Sequence, residues 1–344
     1  PLPSPEWGTY YNGVGAAVLN AARATSGGMV TCGTSSAEDF PLTNGTTEPP
    51  LGGKDAFYSR FTDQYHLLFT SYIGGINSDV AYGVAERNGV VVVTGTTKNA
   101  GGIDFDAPSG GFMDDDEGTD PGNNWGSSDG TCWLARFDPA GVRDWMTLFG
   151  PKYALKPVNV DFDQSGNVYV AGTVIWQLGM GPLPVELVNS PTFNSLPICG
   201  GGYSQSTMGY AYWSPSPPDW TDGFLAKFTS ALALERSTLF GGSSRLDHIT
   251  DMEVERADGT MFIVGNTLSP LGTDPLCGPA DGNTPGFPWC PSVLPDAFFM
   301  TNTPPDNHYE GVETGYLAMI KSTGQLLYCT SLGCVDEPDA AYAV

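Results

Sequence analysis

Short runs of alternating hydrophobic and polar residues recur along the whole chain and are separated by turn-forming residues. In one such run, the period of two places Phe57 and Phe61 on one face of a strand and Tyr58 and Arg60 on the other. Segments such as 163–167, Asp-Gln-Ser-Gly-Asn, have the composition of tight turns. The pattern therefore predicts many short β-strands. No run approaches the roughly 18–20 apolar residues that a membrane span requires, so none is predicted.

Three sequence signatures recur in a fixed order, which indicates an internal repeat. The first begins with Ser or Thr, contains an aromatic residue or leucine and reaches a glycine, at 9–13, 71–75, 147–150, 237–242 and 330–333. The second contains valine and then glycine, usually followed by threonine, at 30–34, 93–97, 170–173 and 264–267. The third contains two spaced hydrophobic residues, at 55–61, 132–137, 222–228 and 314–320. The aromatic residue of the third signature precedes the next glycine signature by 17 or 18 residues each time. The segment between the second and third signatures, by contrast, varies in length.

Each unit contains four short runs with strand character, and four antiparallel strands with recurring Gly and aromatic landmarks are typical of a propeller blade. We therefore predict an all-β fold: a single β-propeller domain over 1–344, built from four-stranded antiparallel blades. The four recognisable blades are expected at 16–75, 76–151, 152–242 and 243–334. Residues 5–14 are predicted to be a closing outer strand and residues 335–344 the start of a further blade. On this prediction the complete ring has at least five blades, and the sequence is C-terminally incomplete; the alternative is that the missing strands come from elsewhere.

The units resemble the SBBP family of bacterial β-propeller repeats. The family's hallmark run is Asp-Ala-Phe, then Lys/Arg-Phe, then Ser-Thr-Tyr-Leu-Gly-Gly, then Val-Tyr-Val-Thr-Gly-Thr-Thr. Residues 55–97 match it almost throughout, and residues 222–242 and 167–173 match it well. The resemblance covers the strands and none of the long insertions. It implies a large secreted or surface-attached bacterial protein, without implying a common activity.

The segments of variable length between the second and third signatures are long insertions, at 41–54, 98–131, 174–221 and 268–313. In a propeller they would share one face with the links between blades. A set of aromatic residues is predicted to form a binding surface there: Trp125, Trp176, Tyr203, Tyr210, Tyr212, Trp213, Trp220 and Trp289. Aromatic, proline-stiffened loops on a rigid ring suit recognition of a protein or a glycan. The alternative is that these aromatic residues only cover the ring and neighbouring loops.

Composition narrows the class of partner. The chain has 14 Lys plus Arg against 38 Asp plus Glu, a net charge of −24, which repels phosphate backbones and anionic membrane surfaces. Nucleic acid is therefore excluded as a partner. Only 15% of residues are charged while 40% are hydrophobic, so the chain is expected to fold. Low charge with abundant Gly, Thr and Asn favours an extracellular or cell-surface location.

The seven cysteines contain no CxxC pair and do not resemble a zinc site. Two close pairs, Cys277 with Cys290 and Cys329 with Cys334, are predicted to be local disulfides formed in an oxidising compartment. The pairing of Cys32, Cys132 and Cys199 stays open. The alternative is that all seven are reduced core thiols.

The densest charge cluster lies in the second insertion: Asp104, Asp106, Asp114, Asp115, Asp116, Glu117 and Asp120. Carboxylates this close repel one another unless a cation or solvent screens them. An oxygen-rich loop suits Ca²⁺, which takes about 6–8 ligands, better than a transition metal. A calcium site is therefore predicted, with a solvated acidic loop as the alternative.

Motifs for catalysis are absent from the sequence. Nucleophilic catalysis would need a histidine beside Ser or Cys, whereas His66, His248 and His308 are predicted to be surface residues at an outer strand, a link between blades and a loop. No phosphate-binding or dinucleotide fingerprint occurs. We therefore predict a non-enzymatic module for protein or glycan binding, adhesion or assembly. The alternatives are a hydrolase or lyase acting on extracellular polysaccharide, and a structural subunit of a surface assembly.

Overall fold

The computed structural model describes part of the chain, and structural statements below refer to that part. The described residues are 10–11, 13–37, 39, 53–75, 77–98, 107–113, 130–150, 155–176, 185–187, 196–198, 220–242, 246–268, 313–332 and 342–343. Every regular element within these ranges is a β-strand. Accordingly, they include no helix of the length and hydrophobicity needed to cross a membrane.

Sixteen of the strands form four separate four-stranded sheets. The first sheet contains β1 (Ala17–Thr25), β2 (Gly28–Ser35), β3 (Asp55–Thr62) and β4 (Leu67–Ile73). The second contains β5 (Asp79–Arg87), β6 (Val90–Thr97), β7 (Thr131–Phe137) and β8 (Arg143–Leu148). The third contains β9 (Leu155–Phe162), β10 (Val168–Trp176), β13 (Trp220–Phe228) and β14 (Leu234–Phe240). Between β10 and β13 in the chain, β11 (Val185–Leu187) and β12 (Leu196–Ile198) form a separate short parallel pair. The fourth contains β15 (Asp247–Val254), β16 (Met261–Thr267), β17 (Thr314–Ile320) and β18 (Leu326–Leu332).

All four sheets have the same topology. Neighbouring strands are antiparallel, and the strand order in each sheet follows the chain. Short turns join the first strand to the second and the third to the fourth, and the long insertions lie between the second and third strands. The prediction of an all-β chain with four-stranded antiparallel units is confirmed.

The recurring glycine and aromatic residues are cross-strand partners. In the second sheet, Gly95 of β6 pairs with Trp133 of β7, and a Cβ built on Gly95 would lie 2.4 Å from a Trp133 ring carbon. The aromatic side chain therefore occupies the space that the glycine leaves open. The equivalent pairs in the other sheets are Gly33 with Phe57, Gly172 with Phe224, and Gly265 with Tyr316. The second and third sequence signatures thus have one common physical cause.

The same glycines lie opposite a β-bulge in the first strand of each sheet. The extra residues are Asn20, Tyr82, Val158 and Thr250. A Cβ on Gly95 would come within 2.0 Å of the Val80 carbonyl oxygen, so the first and second strands approach too closely there for any side chain. A bulge increases local strand twist, and its repetition gives the four first strands the same bend.

Three hydrophobic layers lie between the four sheets, which stack in chain order. Tyr58 of the first sheet and Phe137 of the second have ring centroids 4.3 Å apart. The second layer is the most aromatic and contains Trp145 and Phe228, with centroids 5.4 Å apart. The third layer joins Phe240 to Tyr316, with centroids 5.8 Å apart. Each inner sheet is therefore buried on both faces.

The chain before β1 packs on the free face of the first sheet. Within the predicted closing strand, residues 10, 11, 13 and 14 are described and form no strand pairing. Instead, the Tyr11 ring packs edge-on against Phe61 at 5.3 Å, and its hydroxyl bonds Ser59 Oγ at 2.8 Å and Thr70 Oγ1. Of the predicted further blade, only residues 342–343 are described, and they form no strand.

Candidate binding face

The strand ends at which the insertions leave are tied to the links between sheets. The Asp79 backbone N–H donates to the Lys54 carbonyl at 2.7 Å, and the Lys98 N–H donates to the Ser78 carbonyl at 3.2 Å. These bonds join the start of the second sheet to residues that flank the first and second insertions. The third and fourth sheets are tied similarly, through the Leu268 N–H and Leu246 carbonyl at 3.0 Å and a parallel bridge between Thr221 and Leu246. We call these strand ends and links the insertion rim.

Buried aspartates hold the links of the insertion rim. Asp79 Oδ2 accepts a hydrogen bond from the Gly75 N–H at 2.9 Å, and Asp247 Oδ2 accepts one from the Gly242 N–H at 2.6 Å. Both aspartates are fully buried. Asp247 Oδ1 also accepts the Thr267 hydroxyl at 2.5 Å. Each aspartate side chain is thus hydrogen-bonded to the backbone of the link beside it, which gives the link a defined conformation.

The links contain glycine because aspartate carboxylates lie too close to the backbone there for a side chain to fit. A Cβ on Gly74 would lie 2.6 Å from Asp79 Oδ2 and 3.0 Å from Asp55 Oδ1, and a Cβ on Gly241 would lie 2.3 Å from Asp222 Oδ1. The first sequence signature ends in glycine because the backbone passes directly beside these side chains. The rim that bears the insertions is therefore a rigid base.

His248 is a titratable side chain of the insertion rim whose pKa is lowered. It lies in β15, not in a link between sheets as the sequence suggested, and it is half-buried. Burial lowers the pKa of His248, while the nearby charge of Glu313 opposes that shift. Its Nε2 lies 3.4 Å from Asn266 Nδ2. The prediction of a simple surface histidine is thus wrong for this residue, because β15 is covered by its neighbours in the rim.

A second polar group, which we call the first-strand cluster, consists of Arg23, Asn159, Asp161, Asp251 and Glu253. Asn159 Nδ2 donates to Asp251 Oδ1 at 2.7 Å, which joins β9 to β15. Asp161 Oδ2 accepts the Val254 N–H at 3.3 Å between the same strands. Arg23 Nη1 of β1 lies 3.1 Å from Glu253 Oε2 of β15, although two sheets separate these strands in the chain.

Two carboxyl groups of the first-strand cluster have perturbed pKa values. Burial raises the pKa of Asp161, although the hydrogen bonds from Phe162 and Val254 partly oppose this. Burial also raises the pKa of Glu253, which is further raised by the charge of Asp161 and lowered by Arg23. The sequence analysis missed this cluster. Two pairs of polar residues in the sequence could have predicted it, Asn159 with Asp161 and Asp251 with Glu253. The members of each pair are two residues apart and therefore lie on the same face of a strand.

The predicted calcium ligands lie outside the described residues: Asp104, Asp106, Asp114, Asp115, Asp116, Glu117 and Asp120. Elsewhere, no three His, Cys, Asp or Glu side chains within the described ranges are close enough together to hold a metal ion. The calcium site stays a prediction.

Most of the predicted binding aromatics also lie outside the described residues: Trp125, Tyr203, Tyr210, Tyr212, Trp213 and Trp289. The backbones of Trp176 and Trp220 are described, and these two residues are cross-strand partners at the ends of β10 and β13. They flank the third insertion at the rim. The structure thus brings this one pair of the set together.

The structure does not support the predicted Cys329–Cys334 disulfide. Cys329 is a free thiol buried in the layer between the third and fourth sheets, and Cys334 lies outside the described residues. The inward face of β18 directs Cys329 into the core, where burial raises its thiol pKa. Cys32 and Cys132 are also free and buried, and burial raises the pKa of Cys132 to about 12. The predicted Cys277–Cys290 pair and Cys199 lie outside the described residues.

No protein-family model matches the chain, and no curated protein matches it either. The resemblance to SBBP repeats therefore remains a prediction from the sequence signatures.

Proposed function

We propose that the chain is a β-propeller whose four sheets are blades, and that it acts outside the cell as a non-enzymatic module for binding, adhesion or assembly. The binding surface consists of the insertions that leave the insertion rim. The first strands of the sheets are innermost on this proposal.

The main support is the way in which the first strands meet. Asn20 Nδ2 of β1 donates to the Ala81 carbonyl of β5 at 2.7 Å, and Asn159 Nδ2 of β9 donates to the Met252 carbonyl of β15 at 2.8 Å. Between these pairs, a Cβ on Gly83 of β5 would lie 3.0 Å from the Asn159 Cα. First strands are thus in contact at all three boundaries between sheets, through an asparagine side chain at the first and third and by close approach of the backbones at the second.

The third and fourth strands, by contrast, are kept apart by large side chains. Trp145, Phe149 and Phe228 separate the outer parts of the second and third sheets, and Tyr58 with Phe137 does so between the first and second. Sheets that are close at one edge and spaced at the other form a fan, which is the arrangement of blades around an axis. The ion pair between Arg23 and Glu253 fits a fan because it joins the first and fourth sheets across that axis.

The rim supports the binding role. All four insertions leave at the ends of second and third strands, and buried carboxylates fix the links beside them. A rigid scaffold with long loops at one end is the usual arrangement of recognition surfaces. In a fan of identical topology these ends share one face.

The test uses neutral polysaccharides, laminarin and xylan, because a chain with net charge −24 repels anionic ones. Binding is measured by affinity electrophoresis, and self-association by sedimentation velocity. We expect Trp213→Ala and Trp289→Ala each to weaken binding or self-association by about tenfold, because stacked aromatic rings dominate such surfaces. Val142→Ser, at an exposed position in a short turn of the second sheet, is the matched control. Equal behaviour of the Trp variants and this control would contradict the proposal.

A polysaccharide hydrolase is the second candidate, and one observation favours it. Asp161 and Glu253 have raised pKa values beside an arginine on strands that would line the central channel. Glycosidases use such a carboxyl pair as acid and base. Release of reducing ends from the same polysaccharides, lost in Asp161→Asn and Glu253→Gln, would favour this candidate over the binding module.

A further inference from the structure

The first and fourth sheets meet at a boundary, which we call the seam, that is built differently from the three boundaries between consecutive sheets. Each of those three is filled by a hydrophobic layer that contains residues of both neighbouring sheets. Within the described part of the chain, no such layer contains residues of both the first and the fourth sheets. Among these residues, the seam is therefore not closed by shared burial of apolar side chains.

The first sheet is more open at the seam than the other sheets are on the same side. Leu19 of β1, which pairs with the recurring glycine of β2, is 52% exposed. The residues at the same position of the second and fourth sheets, Ala81 and Ile249, are at most 1% exposed, because they face the preceding sheet. At the seam, the outer part of the first sheet is covered instead by Tyr11, from the chain before β1.

The fourth sheet is also incompletely covered on the side that faces the seam. Leu317 of β17 pairs with the residue before the recurring glycine of β16 and is half-buried. Its equivalents in the other three sheets are at most 3% exposed: Tyr58, Leu134 and Leu225. Apolar side chains on both sides of the seam thus remain accessible to water.

A polar contact that joins consecutive sheets is missing at the seam as well. The third strands of the first three sheets each carry a cation that donates a hydrogen bond to a turn carbonyl of the next sheet. These bonds run from Arg60 to Gly89, from Arg136 to Ser230 and from Lys227 to Ser322, at 3.4, 3.3 and 3.4 Å, respectively. The equivalent residue of the fourth sheet is Met319, whose side chain cannot donate.

An ion pair spans the seam at its inner edge. Arg23 Nη1 of β1 lies 3.1 Å from Glu253 Oε2 of β15, and the two side chains are 33% and 43% exposed. Arg23 also interacts electrostatically with Asp161 of β9, so it attracts carboxyl groups of both the third and the fourth sheets. Ion pairs as exposed as this one contribute little free energy. Contact across the seam therefore depends on a weak polar interaction, whereas the other boundaries depend on hydrophobic layers.

We propose that Arg23 and Glu253 form a latch, and that the first and fourth sheets separate at the seam when this ion pair is broken. The inference rests on the proposed fan, since the two sheets meet across an axis only in that arrangement. The hydrophobic layers at the other boundaries are unaffected, so the separation is confined to the seam. Opening widens the side access to the central channel and exposes Leu19 and Leu317 further.

The test measures the distance between spin labels at Gly27 and Ala257 by pulsed electron paramagnetic resonance, with a labelling chemistry that spares the native cysteines. Both residues are exposed and lie in the turns that follow β1 and β15. Glu253→Gln removes the charge and keeps the shape of the side chain. We expect it to raise the population of longer distances about two- to fivefold relative to the shorter ones, as the loss of an exposed ion pair allows.

A second variant and a double variant test whether the effect belongs to the ion pair. Arg23→Met should raise the population of longer distances by a similar factor. Arg23→Met combined with Glu253→Gln should not exceed Arg23→Met alone, because both changes remove the same interaction. Circular dichroism of each variant establishes that it is folded.

Asp144→Asn is the matched control. It breaks an ion pair of similar exposure with Arg136 inside the second sheet, and it should leave the distances unchanged. Unchanged distances in Glu253→Gln and Arg23→Met, or an equal shift in Asp144→Asn, would overturn the latch and leave the fan intact. A distance of about 30 Å in the unsubstituted protein, as in a flat stack of sheets, would contradict the fan and the latch with it.

Discussion

At Gly95 a single methyl group has no room, because the Val80 carbonyl and the Trp133 ring occupy its two sides. We expect Gly95→Ala to lower the free energy of unfolding by about 2–3 kcal/mol, since the first strand or the indole must shift. Urea denaturation measures the change. Gly27→Ala is the matched control, because no atom lies within 4 Å of its Cβ position. Equal stability of the two variants would show that the cross-strand contact is not tight.

The buried carboxyl groups of the first-strand cluster predict an unusual pH dependence. Burial raises the pKa of Asp161 above its unfolded value, so the folded state binds the proton more tightly. The resulting stabilisation is present below the ordinary aspartate pKa and is lost as the pH rises through the raised one. The Asp161→Asn variant should therefore lose less free energy of unfolding as the pH rises from the ordinary aspartate pKa to the raised one. Urea denaturation at a series of pH values measures this change.

Asp258→Asn is the control with the opposite sign. Hydrogen bonds from Thr260 lower the pKa of Asp258, so its contribution is present above the ordinary aspartate pKa and lost as the pH falls. If Asp161→Asn and Asp258→Asn changed the pH dependence in the same direction, the assignment of Asp161 as a destabilised buried anion would be wrong.

Individual residues that are important for the structure could be identified from the sequence only where they recur in the repeat. Gly33, Gly95, Gly172 and Gly265 stand out because they recur. The first-strand cluster does not recur, so its importance depends on contacts between sheets that no spacing reveals. Cys329 shows the same limit, since proximity in sequence to Cys334 gave no information on the direction of its side chain.

At the scale of elements, the aromatic residue on the fourth strand fills the corner between neighbouring sheets. Trp145 is fully buried, and its Nε1–H donates to the Phe112 carbonyl at 2.9 Å. Trp145→Ala should lower the free energy of unfolding by about 3–5 kcal/mol, because it leaves a large cavity and an unsatisfied carbonyl. Chemical denaturation checks this value.

Val142→Ala, at a position 54% exposed in the turn before β8, is the control and should have little effect on stability. A Trp145→Ala variant as stable as this control would mean that the sheets do not depend on their outer corners.

The strands themselves were predictable because alternation, turn residues and fixed spacing all agree. Their grouping into four antiparallel sheets followed from the repeat. The bulges at Asn20, Tyr82, Val158 and Thr250 were not predictable, because they reflect the approach of a first strand to a glycine on its partner. The predicted calcium ligands and most of the aromatic binding residues lie where no repeat constrains the chain.

At the scale of the whole molecule, the central claim is that the four sheets form a fan around an axis with first strands innermost. The first strands are in contact at all three boundaries between sheets, and large aromatic side chains separate the outer strands at the first two. Within the described part of the chain, the ion pair between Arg23 and Glu253 joins the first sheet to the fourth. In a flat stack, these sheets would be separated by three spacings of about 10 Å each.

Pulsed electron paramagnetic resonance with two pairs of spin labels, attached by a chemistry that spares the native cysteines, tests this claim most directly. One pair is placed at the exposed residues Ala24 and Glu255, beside the first strands of the first and fourth sheets, and the other at Tyr65 and Thr323, beside their fourth strands. The fan predicts that the 24–255 distance is clearly the shorter of the two. Equal distances of about 30 Å for both pairs, as in a flat stack of sheets, would contradict it.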